Sequence, residues 1–236
     1  VTFRFIQAHQ DEWPVRVMCD ALAGAEGACS VNTVAKLMRD NGIRAKTARR
    51  FRCQTTDSDH SLPVAENILG RAFDPSRPNE AWVADITYIP TGEGWLYLAV
   101  VEDLYSRLIV GWSMAEHLES RLVVDALDMA LKRRLPPEGL LAHSDRGSQY
   151  ASDHYQRLLS RHGIECSMSG AGQCCDNAPA ESFFATLRKE LVHHEPFATR
   201  VQARASIFEY VEVFYNNERL HSSLGHVTPA AYEQSR

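Results

Sequence analysis

The chain has neither a run of eighteen apolar residues nor a secretory leader. A membrane-spanning helix is therefore not expected, and a cytoplasmic protein with reduced thiols is. Its six cysteines form no Cys-x-x-Cys pair, and adjacent Cys174-Cys175 make a poor chelate for zinc, which wants well-spaced ligands around a tetrahedron. Internal repeats and low-complexity tracts are missing too, which sets aside solenoids and biased tails. Nor is there a basic excess. The formal net charge is -5, whereas phosphate binding normally draws on Lys and Arg. The charge is uneven, however. From Lys36 to Arg52 seven basic residues (Lys36, Arg39, Arg44, Lys46, Arg49, Arg50 and Arg52) stand against one acid, Asp40.

What is present is an ordinary globular composition, 44% hydrophobic and 23% charged over 236 residues. That is enough for one sizeable core and a small accessory domain. Pro14–Ala23 and Ser30–Asn41 read as helices around a Gly-containing turn, with Ser30 as N-cap and Gly42 as the stop. Followed by the basic run, this suits a helix-turn-helix-like DNA-binding segment over 1–52, although many helical hairpins bind nothing. Residues 53–79 turn to Thr, Ser, Asp and Pro, a linker with one apolar segment at Ile68–Phe73.

The remainder, 80–236, alternates strand and helix signals. Strands are expected at Ala81–Ile89, Trp95–Glu102 and Leu108–Met114, two hairpins in succession. Helical spacing then covers Ser120–Arg134, ended by Pro136-Pro137. Strand Leu140–Ser144, helix Asp153–His162, strand Ile164–Met168 and a long helix from Ala178 follow. Helices near Arg200–Asn216 and Pro229–Ser235 are expected to pack outside this core. The order is that of an α/β, RNase H-like fold: a mixed five-stranded sheet flanked by helices.

Three acids carry the chemistry. Asp85 lies inside the apolar run Ala81–Ile89, Asp145 directly follows Leu140-Leu141-Ala142, and Glu181 opens the long helix. A carboxylate in or just after a buried strand is costly unless paired, protonated or bound to a cation. Carboxylates converging from separate elements can hold Mg²⁺ or Mn²⁺. Two such ions ~3.5–4 Å apart can activate an attacking oxygen and stabilise a leaving one. Any one of these acids alone also fits an unrelated surface position.

The surrounding words narrow the choice. W-V-A-D-I-T-Y-I, V-V-E-D-L-Y-S-R-L-I-V-G-W and H-S-D-R-G-S-Q-Y are followed by D-N-A-P-A-E-S-F-F-A-T-L-R-K-E-L and Y-N-N-E-R-L-H-S-S-L-G-H-V-T-P-A-A-Y-E. These five ordered blocks, from about Ser61 to Glu233, resemble the catalytic core of bacterial insertion-sequence transposases, the branch closest to retroviral integrases. The resemblance implies an Asp-Asp-Glu site of Asp85, Asp145 and Glu181 with two Mg²⁺ or Mn²⁺ ions, Asp85 bridging them. It also implies cleavage of element ends and strand transfer into target DNA by a homo-oligomer, with an upstream-encoded partner polypeptide adding end recognition. The zinc-binding front domain of retroviral integrases is not evident. Cys174-Cys175 departs from the family's usual Asn/Cys-Tyr, which puts a local substrate contact in question.

Around the triad, Arg188 lies seven residues beyond Glu181, within about 20° of the same helix face. It suits a phosphate clamp or, alternatively, a solvated helix charge. Lys189 reads as a peripheral backbone contact. Asp176-Asn177 before Pro179 suits a helix cap, and Asp103 a hairpin turn. His143 either orients Asp145 or substrate, or is a satisfied core histidine. No chemical role is assigned to His221. An RNase H-like nuclease without joining is the second reading, and a non-catalytic DNA-binding relic, which a complete triad opposes, is the third.

Overall fold

A computed structural model describes residues 62–235. The expected segment 1–52, with Lys36, Arg39, Arg44, Lys46, Arg49 and Arg50, lies outside the described residues, as does the first part of the expected linker.

Three antiparallel strands open the core: β1 (Ala81–Thr91), β2 (Gly94–Asp103) and β3 (Ile109–Ala115). The β1–β2 turn needs Gly94, whose φ of 107° is hard for any residue with a Cβ. Helix α1 (Ser120–Arg134) then leads to β4 (Leu141–Ser144), which runs parallel to β1. Helix α2 (Asp153–Arg161) leads to β5 (Glu165–Met168), parallel to β4. The sheet order is β3-β2-β1-β4-β5, the mixed five-stranded arrangement expected.

Both faces of the sheet are covered, so β2 is buried almost throughout and reads as a continuous apolar run. Ala99 and Val101 face α1 through Leu122, Val123, Ala126 and Leu127. Gly111 on β3 permits this close approach, since a Cβ there would stand 2.3 Å from the Ala126 carbonyl oxygen. Leu96, Leu98 and Val100 face the opposite side, packed against α3 (Ala178–Leu187) and α4 (Arg200–Glu209). A short helix, α5 (Pro229–Gln234), follows.

Two expectations for the C-terminal half are corrected. The 200–216 stretch does not pack outside the core; Ala203, Ile207, Val211 and Tyr215 help build its second half. Each fully buried large side chain is worth roughly 1.5–3 kcal/mol, against about 0–1 kcal/mol for an exposed ion pair. Burial therefore decides where α4 sits. The long helix from Ala178 is also not uniform. Its α-helical part ends at Leu187, and Arg188–Val192 form a wider π-type turn in which the His193 amide donates to the Arg188 carbonyl. Tyr210–Tyr215 continue α4 in the same way. Such widened turns often mark functional sites.

Candidate active site

Strand β4 is much shorter than β1. Their ladder ends at the pair Ala84–Ser144, so Asp85 on β1 and Asp145, just past β4, come next, side by side where pairing stops. Neighbouring strands lie about 4.8 Å apart, so the two acids share one rim of the sheet. This is also where the antiparallel meander gives way to parallel pairing, the kind of switch point at which α/β sheets open a crevice. Glu181 lies in the first turn of α3. Asn177, just before that helix, donates from Nδ2 to the Ala84 carbonyl at 3.1 Å, tying the start of α3 to the residue before Asp85.

The electrostatics reflect this proximity. Burial pushes the Asp85 carboxyl well above the usual carboxylate range, and the neighbouring charges of Asp145 and Glu181 push it further. The Ile86 amide, 2.7 Å from Asp85 Oδ1, and Arg188 act the other way. Partial burial raises Glu181 too, opposed by Arg188. Asp145 Oδ1 accepts from the Gly147 amide at 2.9 Å, which turns the H-S-D-R-G loop back on its own carboxylate.

Arg188 stands among these acids. Its Nη2 donates to Thr87 Oγ1 on β1 at 2.6 Å, and its charge acts on both Asp85 and Glu181. The side chain is half-buried, not a freely solvated helix charge. Lys189, next in sequence, is exposed.

An all-oxygen donor set of this kind suits a hard divalent cation, which would relieve the repulsion raising Asp85. Among the described residues, no three His, Cys, Asp or Glu side chains are drawn together tightly enough to enclose an ion. The donor chemistry fits, and the arrangement is open.

Other expectations resolve differently. Asp176 is not a helix cap: Asn177 occupies the N-cap position and neither side chain caps α3. Asp176 instead accepts from Asn67 Nδ2, Arg71 Nε and the Gly170 amide. Asp103 does serve its turn, accepting from the Tyr105 and Asn79 amides. His143 is a satisfied core histidine, with Ser167 and Ser169 hydroxyls on its two ring nitrogens. Burial brings it down to about 4. His221 lies with Tyr215, and burial with Arg219 and Arg107 brings it down to about 4. Cys175 is exposed and free.

Two participants carried no sequence signal of their own. Thr87, fully buried, receives Arg188. Tyr150 is 1% exposed, stacks edge-on against Tyr155 and is raised well above its usual range by burial and by Asp85 and Asp145. It ends the H-S-D-R-G-S-Q-Y block, yet only the fold shows that the charges of both acids act on it.

Comparison with known proteins agrees with this geometry. Residues 75–174 and 181–236 each match a family described as "Integrase core domain". The transposase InsF for insertion sequence IS3A of Escherichia coli K12 is 48% identical over 204 residues, covering 86% of this chain and 70% of that protein. The chain belongs to the bacterial insertion-sequence transposases. The transposase is also 47% identical over 201 residues to the insertion element IS600 31 kDa protein of Shigella sonnei, covering 85% of this chain and 74% of that one. Its fold is shared with a chain of the simian T-cell lymphotropic virus intasome, at a TM-score of 0.57 and 14% identity, covering all of the transposase and 75% of that chain. The HTLV-2 integrase catalytic core domain, solved in complex with magnesium, matches at a TM-score of 0.50 and 16% identity over 67% of the transposase and 98% of that chain. These distant likenesses establish the RNase H-like integrase fold. The transposase is accordingly a polynucleotidyl transferase, and no helix among its described residues is long and apolar enough to cross a membrane.

Proposed function

We propose that the transposase cuts its element's ends and joins them to target DNA at the Asp85–Asp145–Glu181 site, using two Mg²⁺ or Mn²⁺ ions. The carrying observation is that Asp145, just past β4, and Glu181 and Arg188, on the helical stretch that begins with α3, all act on the carboxyl of Asp85 in β1. The magnesium complex of the structurally similar HTLV-2 core supports the choice of ion. Bound there, divalent ions would activate the attacking oxygen and stabilise the leaving one.

The chain's own residues do the rest. Asp85 and Asp145 project from one rim of the sheet, and Glu181 approaches from α3, so the three can hold cations against a phosphodiester. Arg188, anchored by Thr87, offsets negative charge on the phosphate. In cleavage, water attacks phosphorus, the bond to the 3′ oxygen breaks, and that oxygen takes up a proton. In joining, the freed 3′ oxygen attacks a target phosphodiester, so one P–O bond forms as one breaks. No energy-supplying cofactor is then required.

DNA is the partner, both the terminal repeats and the target. The transposase acts as a homo-oligomer on two ends, a reading supported by its fold being shared with a chain of a viral intasome. The 1–52 segment, through Lys36, Arg39, Arg44, Lys46, Arg49 and Arg50, supplies backbone contacts with Lys189 at the periphery. An upstream-encoded polypeptide adds end recognition. The deciding experiment offers the protein a recessed 3′-end substrate and a target duplex with Mg²⁺. Joined products are expected. Hydrolysis without joining would make it a nuclease, and no metal-dependent cut at all would leave only DNA binding.

A further inference from the structure

We infer that the segment Asn67–Arg71, just ahead of the catalytic core, is a positioning clamp for the catalytic carboxylates, acting through Asp176 on the loop before α3 and through Ser167 on β5, the strand beside the one that leads into Asp145. The inference rests on the transposase reading, because it assigns a purpose to placing Glu181 and Asp145.

One arm of the clamp reaches Glu181. The loop between β5 and α3 ends at Asp176, whose side chain is 5% exposed. Its Oδ1 accepts from Arg71 Nε at 2.7 Å, and its Oδ2 from Asn67 Nδ2 at 2.9 Å and the Gly170 amide at 3.0 Å. Arg71 Nη2 also reaches Gln173 Oε1 at 3.0 Å. Two points in the loop, Gln173 and Asp176, are thus tied to residues about a hundred positions earlier. Asn177 follows at once with its bond to Ala84, beside Asp85. The Gly170 amide and the Arg71 guanidinium hold Asp176 below its ordinary carboxylate range, so it is ionised and the bonds are charge-assisted.

The backbone contributes too. Arg71 adopts φ of 67°, a left-handed conformation that residues with a Cβ take at a cost. Asn67 stabilises this turn, its Oδ1 accepting from the Gly70 amide at 3.0 Å. A strained arginine held in place by a buried acid is the arrangement expected of a device that fixes a position.

The second arm reaches Asp145. Ser167 Oγ accepts the Ile68 and Leu69 amides at 2.9 and 3.2 Å, so its own proton goes to His143 Nδ1 at 2.8 Å. That leaves the proton of the neutral ring on Nε2, donating to Ser169 Oγ at 3.1 Å. Ser169 Oγ in turn donates to the Ser144 carbonyl at 3.3 Å, next to Asp145. This buried chain explains why the satisfied histidine sits where it does. It transmits the seat of 68–69 to the end of β4.

The test uses the full chain with Arg71→Gly, which permits the left-handed backbone and removes the guanidinium, and with Asn67→Ala. Single-turnover cleavage is measured at saturating DNA, alongside DNA affinity and amide hydrogen exchange. The clamp predicts a rate loss above tenfold, affinity within twofold of the parent, and faster exchange confined to Gly170–Asn177 and α3. An unchanged rate overturns it, as does a loss explained by weaker DNA affinity or by faster exchange throughout the core. If the parent itself neither cuts nor joins, the transposase reading fails. The exchange comparison then still decides whether Asn67 and Arg71 order the loop, and unchanged exchange overturns the clamp independently.

Discussion

Arg188 donates from Nη2 to Thr87 Oγ1 at 2.6 Å, which fixes the guanidinium on the same strand that carries Asp85. Two positions separate Thr87 from Asp85, so both side chains project to one face of β1. A cation placed this way acts on both Asp85 and Glu181, and in the proposed mechanism it would also face the scissile phosphate.

Arg188→Ala should therefore lower cleavage and joining by well over tenfold, because the phosphate no longer receives a charge-assisted hydrogen bond. It should also cost about 1 kcal/mol of stability, because Thr87 is left buried without its donor. Lys132→Ala serves as control, since its i,i+4 pair with Asp128 is exposed and worth little. Normal single-turnover rates in Arg188→Ala would remove the residue from the site.

Asp145→Asn should abolish cleavage while the protein stays folded. Without divalent ions the variant should melt no lower than the parent, because one of the two charges repelling Asp85 is gone. The parent should gain thermal stability when Mg²⁺ or Mn²⁺ is added, as any ligand of the native state produces. The variant should lose most of that gain. Melting curves with and without metal read both effects, and an equal metal-induced shift in the two proteins would place the ion elsewhere.

Glu102 makes stability pH-dependent. It is 1% exposed and its Oε2 has no partner. Burial pushes it up to about 8, with Arg107 holding it back and Asp103 adding to the rise. The folded form therefore binds the proton more tightly than the unfolded chain, whose glutamate titrates near 4.5. Its contribution is fully present below the unfolded value and is lost as pH rises through about 8. Glu102→Gln should flatten that slope, melting roughly 4 °C or more above the parent at pH 8 and converging with it in acid. Parallel melting curves across the range would show that Glu102 is already compensated.

Replacing Lys36, Arg39, Arg44, Lys46, Arg49 and Arg50 by Gln should weaken DNA binding and flatten its salt dependence. The slope of log affinity against log salt should fall by about 0.9 for each phosphate that is no longer neutralised. An unchanged slope would give the 1–52 segment a protein-contact role.

Much of this protein was legible from local pattern. Apolar, β-prone runs separated by turn residues foretold β1 to β3, and helical spacing from Leu122 to Leu131 foretold α1 to the residue. These signals are local: a strand or helix facing a core needs its own periodicity. Asp85 and Asp145 stood out because each lies in or just after an apolar strand, where an unpaired charge is costly, whereas Glu181 was singled out by the family resemblance of the block around it. What chain order could not decide was who faces whom. Asp176 looked like a cap because it precedes a helix, yet its partners lie at Asn67 and Arg71. His143 became a structural relay because Ser167 on β5 and Ser169 just beyond it arrive at its two ring nitrogens. The 200–216 helix entered the core because the second sheet face had to be covered. Sequence determined the elements and the chemistry they carry. Tertiary structure decided the seating of Arg188 on Thr87 and the clamp on the catalytic loop, because those bonds join residues that only folding brings within reach.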